Sequence, residues 1–152
     1  MDKGKTYYGK ALEGLLPLAE QGDATAQYRV ARCLEFGEGD MKAAEAWYAR
    51  AAEGGNTKAM CRSALFELAR NPSGEFPASL VRAAELGDPD AEAWQGARLV
   101  EREETQKAGV ALLIEAVSGG STIAMARLSA LYYLGEGGVE QHLDVALRLM
   151  QE

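Results

Sequence analysis

A short seam recurs along this chain at a nearly fixed interval, and it constrains the fold more than any other feature. Its first copy is Leu18-Ala19-Glu20-Gln21-Gly22-Asp23-Ala24-Thr25-Ala26-Gln27-Tyr28. The first half returns as Ala52-Glu53-Gly54-Gly55 and Ala84-Glu85-Leu86-Gly87, and more loosely as Val117-Ser118-Gly119-Gly120. The second half follows each time, as Asn56-Thr57-Lys58-Ala59, Asp88-Pro89-Asp90-Ala91 and Ser121-Thr122-Ile123-Ala124. From Gly22 the matching glycines are Gly55, Gly87 and Gly120, in steps of 33, 32 and 33 residues. A fixed period of that length marks stacked helical hairpins, because each hairpin is too small to bury its apolar face alone.

The seam has a physical logic. Glycine just past a helix end can take positive φ and close the helix. The next residue is Asp23, Asn56, Asp88 or Ser121, each a good N-cap for a following helix. Pro89 falls at a first helical position, where its missing N–H costs nothing. Each seam is therefore a stop and a start joined by almost no loop. The pattern predicts an all-α chain: a lone helix over 6–21, then repeats over 22–54, 55–86, 87–119 and 120–152, in one domain over 1–152.

Helical spacing supplies the expected apolar stripes: Leu12, Leu15, Leu16 and Ala19 in the first helix, with Pro17 an awkward presence inside it. Ala26, Val30, Cys33 and Leu34 share a face of the next helix, and Ala44, Trp47, Tyr48, Ala51 and Ala52 a face of its return helix. Asn71-Pro72-Ser73-Gly74 reads as a turn and Thr105 as a cap. Cys33 and Cys61 follow the marker alanines Ala26 and Ala59 by different offsets, seven and two residues. On parallel helices roughly 10 Å apart, that mismatch adds about 7.5 Å along the axis, beyond the roughly 7 Å Cα limit of a disulfide. Both read as small buried hydrophobes in a reducing compartment.

Composition excludes several function classes. With 152 residues, 47% of them apolar, the chain has ample material for a core. A formal charge of −7 argues against nucleic acid and against an anionic membrane surface. No apolar run approaches a membrane span. Met1-Asp2-Lys3-Gly4-Lys5 has no apolar segment behind it, which points to a cytoplasmic protein, although a trimmed periplasmic domain would look the same.

Ala26-Gln27-Tyr28-Arg29-Val30-Ala31, Gly37-Glu38-Gly39 and Ala43-Ala44-Glu45-Ala46-Trp47-Tyr48-Ala49-Arg50-Ala51-Ala52-Glu53-Gly54 together resemble a Sel-one-like repeat, a bacterial and eukaryotic cousin of the tetratricopeptide repeat. Gly135-Glu136-Gly137-Gly138-Val139 followed by Ala146-Leu147 resembles the same loop and return helix. The second and third repeats lose the Gly-X-Gly turn, and His142 stands where the family often has Asp. The resemblance implies a right-handed α/α solenoid, with the first helix of each pair lining a concave side.

A search for chemistry finds little. Gly4-Lys5-Thr6-Tyr7-Tyr8-Gly9-Lys10-Ala11 nearly spells a phosphate-binding loop, but no strand precedes it and Ala11 lacks the required hydroxyl. His142, the one histidine, has no cysteine near it in sequence and no motif around it; it reads as a capping or surface residue. The sequence therefore gives no catalytic, cofactor-binding or metal-ligating set.

Surface recognition remains. The open face of the first helices carries Tyr28, Arg32 and Glu35, with Phe36 at its edge, then Lys58, Cys61, Leu65 and Leu68, then Ala97 and Val100, then Tyr133 and Leu134. Such a row reads either as a groove for a partner segment or as surface that neighbouring helices bury. Three residues after each marker alanine come Arg29, Arg62, Trp94 and Arg127, either a basic-aromatic rail with Arg62 near Trp94 or side chains shielding a helix flank. The expected function is a protein-binding adaptor without catalysis. Its rivals are an inhibitor or immunity protein for one toxin or enzyme, and an enzyme using His142. A homodimer through the end faces is compatible with poorly capped repeats.

Overall fold

The computed structural model describes residues 3–72 and 76–151, with side chains from residue 7 onward. The elements follow the seams: α1 (Lys3–Glu20), α2 (Ala24–Cys33), α3 (Met41–Glu53), α4 (Thr57–Arg70), α5 (Ala78–Glu85), α6 (Pro89–Val100), α7 (Gln106–Ser118), α8 (Thr122–Leu134) and α9 (Leu143–Leu149). The fold is all-α, of the α/α solenoid class. Of the expected turn at Asn71-Pro72-Ser73-Gly74, Ser73 and Gly74 lie outside the described residues. The near-phosphate-loop is no loop, since α1 begins at Lys3 and runs through Pro17 to Glu20.

All four caps act as their residue types allow. Side chains of Asp23, Asn56, Asp88 and Ser121 accept from the N–H groups of Ala26, Ala59, Ala91 and Ala124 at 2.7, 2.9, 3.1 and 3.2 Å. The glycines before them take φ between 80° and 94°, for Gly87 and Gly22 respectively. The N–H of each cap residue donates back to Leu18, Ala51, Ala83 or Ala116 O, closing the preceding helix with a six-residue turn. Gly54 and Gly119 are glycine for another reason. Their φ is ordinary, but a Cβ on Gly54 would lie 2.8 Å from Ala24 Cβ, and one on Gly119 2.6 Å from Pro89 Cγ. Thr105 differs from expectation: its hydroxyl donates to Leu99 O at 2.6 Å, and no side chain caps α7.

The structure is described as two compact units, one through Ser79 and one from Leu80, with the division inside α5. In the first unit Ala19 of α1 packs on Ala26 and Val30, ringed by Leu12, Leu15, Leu16, Leu34 and Trp47. A second cluster joins Ala31, Ala44, Tyr48, Ala51 and Ala59, with Tyr28 and Phe66 against it. In the second unit the core is Ala93, Val110, Leu113, Ala116, Ala124 and Leu128. One small residue recurs five places after each marker alanine: Ala31, Ala64, Gly96 and Ser129, all buried. At Ala31, Gly96 and Ser129 it lets the first helix and its return helix approach closely. Cys33 and Cys61 are both buried.

Candidate functional site

In the first unit the surface is shaped by a turn of π-helix, Leu34–Glu38, that prolongs α2. The wider turn adds a residue per bond and rotates Glu35 away from the outward face expected of it. Its side chain is only 8% exposed. There the carboxylate accepts from the Tyr48 hydroxyl at 2.7 Å and from the Arg62 guanidinium. Arg62 also lies 5.9 Å from the Tyr48 ring and 5.6 Å from the Phe66 ring. Tyr28 tilts on Tyr48 at 5.7 Å and Tyr48 on Phe66 at 6.1 Å, so an aromatic stack surrounds one ion pair. Burial, with the bond to Glu35 second, pushes the Tyr48 phenol far above the ordinary tyrosine value.

Tyr28, Glu35 and Arg62 are thus brought together, as an internal tie rather than an open row. Leu65 and Leu68 are half-buried on α4. Arg29 and Arg32 stay exposed, and Arg32 lies 5.7 Å from the ring of the exposed Phe36. Of the basic-aromatic column, Arg62 has its guanidinium on Glu35, Tyr48 and Phe66 within the first unit.

In the second unit Val100 packs on the core and Ala97 is half-buried. Trp94 is half-buried too, and its buried indole N–H has no hydrogen-bond partner among the described residues. Arg127, Tyr133 and Leu134 are exposed at α8. Phe36 and Leu134 each stand ten residues after a marker alanine, and with Tyr133 each is more than half exposed. Gly135 at φ 69° ends α8 just beyond them and fixes the edge.

His142 is exposed at the cap position of α9, makes no side-chain cap bond, and tilts on Tyr132 at 6.2 Å. Among the described residues no three His, Cys, Asp or Glu side chains are placed to hold a metal ion, and no helix is long and apolar enough to cross a membrane. Burial raises the Cys33 thiol despite the nearby Arg32, which disfavours a thiolate nucleophile. Burial first, then Glu115 and Asp88, pushes Glu92 up, while the bond from Arg148 pulls Asp144 down. Sequence reasoning missed the exposed Leu147 and Met150 of α9 and the part of Phe66 in the stack; setting the repeats in register would have flagged the first pair.

No family model matches the chain, and no curated protein matches it significantly. Solved structures do match. The protein c5321, a protective antigen present in uropathogenic Escherichia coli strains that displays an SLR fold, is 27% identical with a TM-score of 0.66, over 88% of this chain and 30% of that one. A Sel1 repeat protein from Oxalobacter formigenes is 24% identical with a TM-score of 0.73, over 92% of this chain and 61% of that one. The immunity protein Pa5087 from Pseudomonas aeruginosa is 20% identical with a TM-score of 0.70, over 99% of this chain and 65% of that one. The chain therefore spans under two thirds of each of these proteins. It has the Sel1-like repeat (SLR) fold.

Proposed function

We propose that this SLR-fold chain is a protein-binding adaptor that presents, in each of its two units taken by itself, the exposed end of a first helix to a segment of another protein and contributes no chemistry of its own. The observation that carries the reading is the matched exposure of Phe36, Tyr133 and Leu134 on helix ends that caps and glycines hold rigid. Large apolar side chains held in water without entropy still to lose suit recognition. In the first unit Arg32, 5.7 Å from the Phe36 ring, supplies charge for an acidic segment; Arg29 and Arg127 are exposed on their own helices. The interaction role is consistent with the SLR-fold neighbours; the edge as its site is our reading, as is a bacterial cytoplasmic setting.

A second reading, a dedicated inhibitor of one toxin or enzyme, is supported by the likeness to the Pseudomonas aeruginosa immunity protein over nearly the whole chain. A net charge of −7 would speed association with a basic target. The test is affinity capture from the native host's lysate with the tagged chain, followed by mass spectrometry. One stoichiometric partner, lost on Tyr133→Ala with Leu134→Ala or on Arg32→Ala while helicity is kept, is the expected result. A partner whose enzymatic activity falls silent in the complex would select the inhibitor. Retention of the partner by every edge variant would place recognition elsewhere.

A further inference from the structure

Two of the repeats carry the same short loop motif, and the chain folds it in two ways. Gly37-Glu38-Gly39 and Gly135-Glu136-Gly137 both begin eleven residues after a marker alanine, Ala26 or Ala124. The second glycines agree, since Gly39 and Gly137 both sit at φ 71°. The first glycines differ. Gly135 takes φ 69° and closes α8, its N–H donating to Leu131 O at 2.9 Å. Gly37 instead stays inside the turn Leu34–Glu38, and closure waits for Gly39, whose N–H donates to Leu34 O across the wider π turn. The Asp40 N–H adds a second bond to the same oxygen at 3.0 Å.

The residue two places before the loop accounts for the difference. Nine residues after the marker alanines stand Glu35, Leu68, Val100 and Tyr133. The helices α4, α6 and α8 are regular through that position, while α2, with a carboxylate there, passes into the π turn. Regular helix would hold Glu35 in water. The wider turn carries it to the Tyr48 hydroxyl at 2.7 Å and to the Arg62 guanidinium. Two charge-assisted bonds in a nearly dry setting outweigh the cost that makes π turns rare. Phe36 is then held between two inward neighbours, Glu35 and Gly37, and any Cβ on Gly37 would overlap the Tyr8 side chain. Its ring stands 58% exposed, with the Arg32 guanidinium 5.7 Å away.

We propose that Glu35 is the positioning residue of the first unit's exposed helix end. Its bonds to Tyr48 and Arg62 override the helix stop at Gly37, carry the helix on to Gly39, and so set where Phe36 and Arg32 stand. The proposal rests on the adaptor reading only for the use of that end in recognition. Without the carboxylate, Gly37 should close α2 as Gly135 closes α8, with its N–H on Cys33 O.

The test reads the hydrogen bonds themselves. In the isotopically labelled full chain, wild type should show the NMR coupling that passes through the hydrogen bond from the Gly39 nitrogen to the Leu34 carbonyl carbon. Glu35→Ala should lose it and gain one between Gly37 and Cys33. Removing both donors, Tyr48→Phe with Arg62→Met, should do the same, and decides the matter if the first variant fails to fold. Glu35→Gln, which can still bond both partners, should keep the wild-type coupling. So should Ala44→Gly, which weakens the same core without touching the tie, and Tyr8→Ala, which frees the space beside Gly37. Persistence of the Gly39–Leu34 coupling in folded variants lacking the tie overturns the proposal. Its loss in Tyr8→Ala does so too, because packing on α1 would then set the turn. The couplings are read on the free chain, so their outcome is separate from any failure of the adaptor reading. A partner lost on Phe36→Ala but held by Glu35→Ala would overturn the role in recognition.

Discussion

The hairpins α2/α3 and α6/α7 share seams, caps and register, yet different chemistry holds each together. In the first, the crossing is made by Ala31 and Ala44, and the space their methyls leave is filled by the Tyr28, Tyr48 and Phe66 rings around the Glu35–Arg62 pair. In the second, the crossing is Gly96 against Gly109, with Leu113 filling in. A Cβ on Gly109 would stand 2.7 Å from Gly96 O, so nothing larger than hydrogen fits. The seam dictates that a hairpin forms; the residues at the crossing decide how close its helices come. Close approach gains dispersion contacts along two backbones and admits no side chain, while the wider crossing accepts polar groups that must then all be partnered.

The largest predicted effect tests that difference directly. Gly109→Val drives two methyls into the α6 backbone and Val100, where no flexible side-chain tip can yield, and should cost about 3 kcal/mol or more. The mirrored change, Ala44→Gly, removes one buried methyl and lowers helix propensity, and should cost about 1–2 kcal/mol. Urea unfolding followed by circular dichroism measures both. Equal losses would mean that the crossings are equally close and the comparison is mistaken.

Next in size is the polar tie that the second unit lacks. Tyr48→Phe keeps the ring but leaves the Glu35 carboxylate without its hydroxyl donor, at about 1–2 kcal/mol near neutral pH. The sign with pH follows from the raised Tyr48 phenol. Folding favours its protonated form, so its contribution is complete below the unfolded value of about 10 and is lost as pH rises through the folded value. Wild type should lose stability above about pH 10 more steeply than Tyr48→Phe, closing the gap between them. Parallel pH profiles would mean that Tyr48 is not the group that titrates.

Much of this was legible in the sequence, and the parts that were not share a cause. Seams, caps and the buried stripes Ala26, Val30, Cys33, Ala44, Tyr48 and Ala51 depend on local periodicity, which the chain states outright. The Glu35–Arg62 pair depends on a π turn and on the crossing of α2 with α3 and α4, neither of which a 3.6-residue period contains. Glu35 was expected on an open face because regular helix would put it there. Arg62 shares a column with Trp94 along the repeats, but its contacts with Glu35, Tyr48 and Phe66 depend on helix crossings that the column does not contain. The Gly54 and Gly119 contacts were hidden because glycine at a helix end invites a φ explanation that Gly55 and Gly120 already satisfy. Gly54→Ala and Gly119→Ala should each cost about 1 kcal/mol through the clash with Ala24 or Pro89, measurable as a lowered urea midpoint; no loss at either would mean that the neighbouring helix start can yield.

The smallest effect comes from the two glycine-bearing loops. Asp40 opens α3 by accepting from the Ala43 N–H at 3.0 Å, whereas His142 opens α9 with no side-chain bond at all. His142→Asp gives α9 the cap that α3 already has and should raise stability by about 0.5–1 kcal/mol. The gain should vanish below about pH 4, because a carboxylate that accepts N–H bonds stabilises only while ionised. Hydrogen exchange at Val145, whose N–H the new carboxylate would take, should slow in step with the shift in unfolding midpoint. The same variant weighs His142 as a reactive group. A chain that gains stability and keeps partner capture uses position 142 only to begin a helix, while one that gains stability and loses a function would make the histidine itself functional.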